Sequence, residues 1–224
     1  MTLRSTLATI HRDPHWWRTV LIGGALAATV VGYPWVAGME IASQENTRKG
    51  FPTPLPRWND WGDRYVIGLL AVLIDIVFFG LPVLGFGLLF LCGAGILAFS
   101  GFGWARWLVP AGLATLLLYQ LAMFATGVAP VGRLIYAQAG NIEEALSTHS
   151  LRVALRPAAR AIYWRARVQS LPAYLPALLL FAASWLAPWP LTLPLIWLAL
   201  SALCYAHLVV VQLYVAAHAE AHWA

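Results

Sequence analysis

Asp75 is an acid inside an apolar run, about ten residues past Tyr65. An ionised carboxylate is costly at that depth of a membrane segment, and intramembrane acids mark ion or proton paths. The plainer reading is a protonated acid bonded to a neighbouring polar group: Tyr119, Gln120, His207 or Gln212. One acid is thin lining for a transporter. His207 shares the last long apolar run with Gln212. A neutral imidazole facing the bundle interior can ligate haem or a chlorophyll-type pigment. Such a histidine is more often simply hydrogen-bonded, and no cofactor is expected. His218 and His222 are four apart, a spacing that places two metal ligands on one helix face. They lie at a chain end with no cysteine or acid on that face, so no metal site is expected. The chain has no Walker loop, no Gly-x-Ser-x-Gly, no His-Glu-x-x-His and no dinucleotide fingerprint. Gly85-x-Gly87 sits inside an apolar helix and reads as packing, as do Gly93 and Gly95.

Two polar stretches frame these residues. The first is Phe51 to Asp63, FPTPLPRWNDWGD. Pro52, Pro54 and Pro56 alternate, which predicts an extended arm. Asn59 or Asp60 is a natural N-cap for a helix running on from Tyr65. Asp60 and Asp63 sit where the helix dipole favours negative charge. Trp58 and Trp61 share a face at headgroup depth, with Gly62 between helix start and acid. This is either a capped, Trp-anchored helix start or a surface for a partner or headgroup. The second stretch, Ala129 to Ser170, is the most basic, with Arg133, Arg152, Arg156, Arg160, Arg165 and Arg167. It is either an ordinary positive-inside loop or a docking surface for anionic lipid or a partner.

The Pro-rich arm followed by Trp58-Asn59-Asp60-Trp61-Gly62-Asp63 and an apolar helix resembles the prokaryotic membrane family called domain of unknown function 4013. His15 to Gly24 resembles that family's opening, an aromatic and basic start with a Gly-Gly step. Ser150 to Pro172 resembles its basic linker, and His207 to Glu220 its closing helix. From Phe86 to Thr126 the match is one of hydrophobicity alone. The resemblance implies a multi-pass membrane protein and supplies no activity.

Composition points the same way. The 224 residues are 61% hydrophobic and 10% charged, with a mean hydropathy of +0.71. That is one integral membrane domain, residues 1–224, rather than a soluble one. The net charge of +5 sits between apolar runs, so topology and anionic lipid explain it and nucleic acid is not an expected partner. Cys92 and Cys204 lie in apolar segments and read as buried free thiols.

Residues 1–18 are a basic surface segment, with Leu3, Leu7 and Ile10 on one helix face. The apolar run after it is read as retained rather than cleaved. Trp17 to Ala42 is long enough for one span, but Gly32, Tyr33 and Pro34 fall in its middle. Basic residues on both flanks favour a re-entrant hairpin with its tip near Pro34, with a simple span as the alternative. Residues 43–64 form the Pro/Trp/Asp loop. Tyr65 to Ser100 would make a straight helix of about 54 Å against a hydrocarbon core of about 30 Å. It must break, and Gly80-Leu81-Pro82 through Gly87 is the expected place, as a hairpin or a kink. Ser100 to Trp104 reads as a turn, with Trp104 and Trp107 as anchors, and Leu108 to Gly127 as another span. Residues 129–170 form the Arg-rich linker, in which Asn141 caps a helix with Glu144 as reciprocal partner. Ile142, Ala145, Leu146 and Val153 share its apolar face. Residues 171–218 are a helical hairpin turning at Pro188-Trp189-Pro190.

The expected fold is all-α: a polytopic bundle of about five to seven hydrophobic helices or half-helices with interfacial amphipathic helices. The expected setting is a prokaryotic cytoplasmic (inner) membrane with both termini cytoplasmic. The first functional expectation is a non-catalytic accessory or scaffold subunit packed against other membrane subunits. The second is a small transporter or channel component using Asp75. The third is a lipid-acting enzyme, which lacks a visible nucleophile or metal.

Overall fold

The computed structural model describes residues 2–99 and 107–223, and all regular structure among them is helical. The expected turn at Ser100–Trp104 lies outside the described residues, as does the side chain of His222. The short helix α1 (Leu3–Ile10) is closed by a capping box between Thr2 and Ser5 and buries Ile10. The first hydrophobic segment is broken. Helix α2 (Trp16–Ala27) ends in a tight turn at Val30–Gly32, and α3 (Tyr33–Arg48) starts with Pro34 in its first turn. Both pack on the last helix, α11 (Trp189–Trp223), in opposite senses. Trp16 lies beside Tyr205 and Gly24 beside Ser201, whereas α3 sets Glu40 at His207 and Ser43 at Gln212.

The Pro arm is non-helical, with bends at Pro52, Leu55 and Trp58 rather than a straight extended run, and buries Pro54, Leu55 and Pro56. Helix α4 (Trp61–Asp75) begins with Asp60 at its N-cap position, but the Asp60 side chain makes no capping bond and its φ is 53°. The sequence expectation of a side-chain cap fails because Arg64 takes the preceding residue instead. Its Nε donates to the Asn59 carbonyl at 2.7 Å and its Nη2 to Asn59 Oδ1 at 3.1 Å. Trp58 precedes the helix and stacks on Trp61 at 5.4 Å. Helices α3 and α4 cross at Gly38 and Gly68, where a Cβ would run into the carbonyls of Arg64 and Pro34.

The long apolar segment does not fold back on itself. Helix α4 passes through a π turn at Ile76–Gly80 into α5 (Leu81–Phe99). The cause lies in Pro82, which has no N–H for the carbonyl of Phe78 and whose ring crowds it. That carbonyl accepts from Tyr119 Oη at 3.1 Å, and the Phe79 carbonyl from Gln120 Nε2 at 3.0 Å. Tyr119 and Gln120 belong to α6 (Leu108–Thr126), so the π turn is where α6 is bolted on. Gly127, at φ 66° and against the Tyr214 ring, ends α6 and starts α7 (Val128–Ala139) at a 45° bend.

Asn141 caps α8 (Ile142–Leu146) by accepting from the Glu143 N–H, without the expected reciprocal bond from Glu144, and the helix stops after five residues at Ser147, which caps α9 (Thr148–Leu155). The predicted single amphipathic face is therefore carried by two short helices. Pro157 opens α10 (Pro157–Leu186), which runs antiparallel to α11. Tyr163 meets His218, and Tyr174 meets His207.

Three helical stretches are long and apolar enough to cross a membrane: Trp61–Leu97, Pro157–Leu186 and Trp189–Ala221. The bent pair Pro110–Thr126 and Val128–Ala139 makes a fourth if it counts as one span. Large apolar side chains such as Leu88, Leu89, Leu179 and Leu186 are exposed along them. That is the build of a multi-pass membrane protein, because water would not tolerate an apolar surface of this extent.

Candidate functional site

Arg133 organises the interior. It lies in the apolar stretch Val131-Gly132-Arg133-Leu134 of α7, and its side chain is 9% exposed. The α6–α7 bend aims this stretch at α3 and α4. One end of the guanidinium forms a salt bridge to Glu40 on α3, whose side chain is 1% exposed. Its other side holds Asp75 at the end of α4 through a salt bridge and an Nε–Oδ1 hydrogen bond of 3.1 Å. His207 on α11 completes the group, its Nδ1 donating to Glu40 Oε1 at 3.0 Å. Burial pushes the Glu40 carboxyl up, but Arg133, seconded by His207, more than offsets this and holds it below the usual range. Tyr33 lines the same space, and burial pushes its phenol up to about 12, so it is neutral.

These groups line a cavity of about 230 Å³ between α3, α7, α10 and α11. It is far larger than the ~10–15 Å³ that one water needs. Its apolar wall includes Phe79, Phe124 and Val210. Arg167 on α10 faces it from the other side. A second cavity, of about 560 Å³, is lined by Thr47, Gln138, Gln212 and His218. Gln44 lines both cavities, and among the described residues its buried Oε1 has no hydrogen-bond donor.

The structure redistributes the sequence candidates. Asp75 bonds Arg133 rather than the expected Tyr119, Gln120, His207 or Gln212; Tyr119 and Gln120 are spent on the π-turn carbonyls. His207 and Gln212 are not one site. Gln212 donates to Ser43 Oγ at 2.9 Å and accepts from Thr47 Oγ1 at 2.7 Å, one helical turn further on. His218 is buried rather than fraying, with its Nδ1 2.8 Å from the Tyr163 hydroxyl. Of the arginines assigned to a lipid or partner surface, Arg152, Arg156, Arg160 and Arg165 are exposed, and Arg165 pairs with Glu220 at 3.6 Å. Arg167 is buried, at 4% exposure, as is Arg133 of the same basic stretch. In the Trp motif, Pro56 is buried, Trp58 partly so, and Asp60, Trp61, Gly62 and Asp63 are exposed. Cys204 is buried as expected, whereas Cys92 is exposed on α5.

Glu40 and Arg133 are the residues that sequence reasoning missed. The available signal was a charge of each sign set singly among apolar neighbours, Val36 to Ile41 and Val131 to Ile135.

A model of the family described as protein of unknown function DUF4013 matches residues 21–187. The chain belongs to this family. The match takes in Glu40, Asp75, Arg133 and Arg167 and stops before α11, so His207 stands outside it. The likenesses at His15–Gly24 and His207–Glu220 fall respectively at its edge and beyond it. No curated protein and no solved structure matches the chain.

Proposed function

We propose that this DUF4013 protein is a solute-handling membrane protein, a small transporter or channel component, that works through the cavity at Arg133. One observation carries the reading: four ionisable side chains, Glu40, Asp75, Arg133 and His207, converge on an internal cavity. A bundle needing only rigidity would do as well with apolar side chains of similar volume, because burying charges costs as much as pairing them returns. Charges kept beside open space in a membrane protein mark a path.

The position of the cluster fits a path with one wide mouth. His207 lies 18 residues beyond Trp189, about 27 Å along a helix. Trp185 and Trp189 flank the exposed α10–α11 turn and suit a bilayer interface. With the turn at one face, the cluster sits near the opposite boundary of a core about 30 Å thick, rather than at the half depth expected for Asp75. The larger cavity, which shares Gln44 with the first, lies on the side away from that turn, beside Gln212 and His218. The positive flanks support reading that side as the cytoplasmic one of a prokaryotic inner membrane. The exposed arginines of α9 and α10 then meet anionic lipid. The test is solute flux into vesicles holding the wild type or Asp75→Asn; flux that is absent or unaffected by the substitution sinks the reading.

A second reading, an accessory subunit docking on other membrane subunits, has its own observation. Helix α5 rests on α6 and the π turn, and a Cβ at Gly85, Gly87, Gly93 or Gly95 would meet nothing within 4 Å. Such small-residue faces let a foreign helix approach closely. Mild-detergent purification from native membranes, with mass spectrometry and an absorption spectrum, tests it. Subunits in fixed ratio support docking, and a pigment band would bring His207 back as a ligand. A protein that comes alone and colourless counts against both.

A further inference from the structure

Among the described residues, Arg167 is a buried cation without a counter-ion. It is 4% exposed, and among the described residues no carboxylate lies within ion-pair distance of it. Its Nε is buried with no acceptor. The guanidinium lies over the Phe124 ring at 4.1 Å and the Tyr214 ring at 5.3 Å. Ring faces hold a cation in place, the Tyr174 and Tyr214 hydroxyls stand within hydrogen-bonding reach of the guanidinium, and its Nε is the donor left over. The side chain lines the 230 Å³ cavity.

Arg133, in the same cavity, is the useful contrast. It already carries both carboxylates, Glu40 and Asp75, so its charge is taken up. An incoming anion is left with Arg167, which no carboxylate among the described residues answers. Gln44 adds an acceptor, Oε1, that lacks a donor among the described residues. A ligand with a negative oxyacid group and a hydroxyl, N–H or acid proton would satisfy both. Planar N–H forks match carboxylate and phosphate oxygens better than a point charge does.

We infer that this cavity holds one anionic oxyacid group, a carboxylate or a phosphate, against Arg167. The inference rests on reading the cavity as a solute site, and it names the class of solute. The group can belong to a free metabolite-sized anion or to a lipid headgroup, since the chemistry at Arg167 is the same.

The experiment is equilibrium binding to the purified full chain in zwitterionic lipid nanodiscs. The probes are inorganic phosphate, a short-chain hydroxy acid (lactate) and phosphatidylglycerol, read by calorimetry and by the shift in unfolding temperature. The wild type is expected to bind at least one probe saturably, and Arg167→Gln to weaken it by about tenfold or more, the range of a charge-assisted pair. Arg167→Lys should recover part of the loss. Binding of phosphate or lactate identifies a free anion, and binding of the lipid alone identifies a headgroup. No saturable binding of any probe to the wild type overturns the inference, as does equal binding by Arg167→Gln. If Arg167→Gln does not fold, Arg167→Lys decides: affinity unchanged by losing the planar fork counts against the site. Binding without flux would overturn the transport reading and leave this site standing.

Discussion

Arg133 and Glu40 are 93 residues apart in sequence and form a salt bridge from which water is almost excluded. Glu40→Gln leaves Arg133 paired with Asp75 alone and is expected to cost about 1–3 kcal/mol, the range for a lost hydrogen bond to a buried charged group. Replacing Glu40, Asp75 and Arg133 together by Leu, Leu and Met should cost less than Glu40→Gln alone. Denaturant unfolding in detergent compares the two; a triple variant less stable than the single one would contradict the buried-charge account.

Acid should act through the same carboxylate. Glu40 is held below its ordinary value of 4.5 in the folded protein. Its contribution is therefore complete above that ordinary value and is lost as pH falls through the folded value. The stability gap between wild type and Glu40→Gln should be flat from neutral pH down to that point and narrow below it. A gap that closes between pH 8 and 6 would show that another group governs the pair.

The α3–α4 crossing has no room for a side chain at Gly68, where a Cβ would meet the Pro34 carbonyl. Gly68→Ala should destabilise by about 1–3 kcal/mol through overpacking, despite alanine's better helix propensity. Gly62→Ala, at a position with nothing within 4 Å, is the control and should be near neutral. Unfolding temperatures of the two variants check this.

Gln212 joins α11 to α3 through Ser43 and Thr47. Gln212→Leu leaves both hydroxyl contacts without their partner and should cost about 1–3 kcal/mol. Gln212 also lines the larger cavity, so solute flux in the folded fraction should fall as well. Flux unchanged with folding intact would show that the larger cavity is not on the path.

Much of the architecture was legible because its causes are local. Pro188-Trp189-Pro190 between two apolar runs gave the α10–α11 hairpin, and Gly32-Tyr33-Pro34 marked the broken first segment. The π turn was legible only as a place, since Pro82 announces a lost hydrogen bond but not that Tyr119 and Gln120 take up the freed carbonyls. Asp75 stood out as a lone acid in a long apolar run. Glu40 did not, because Ser43, Gln44 and Glu45 follow it and blur the end of its segment. Arg133 and Arg167 looked like two more cations in a basic linker. Their burial depends on the Gly127 bend and on the α10–α11 register, and local composition encodes neither.

The most direct test of the solute-handling claim is osmotic swelling of proteoliposomes under gradients of small anions and neutral solutes, followed by light scattering. The account predicts that wild-type vesicles swell faster than empty ones for at least one solute. Asp75→Asn, still folded and inserted, should slow this by about tenfold, the loss of roughly 1.4 kcal/mol. Wild-type vesicles indistinguishable from empty ones, or Asp75→Asn vesicles as fast as wild type, would contradict it.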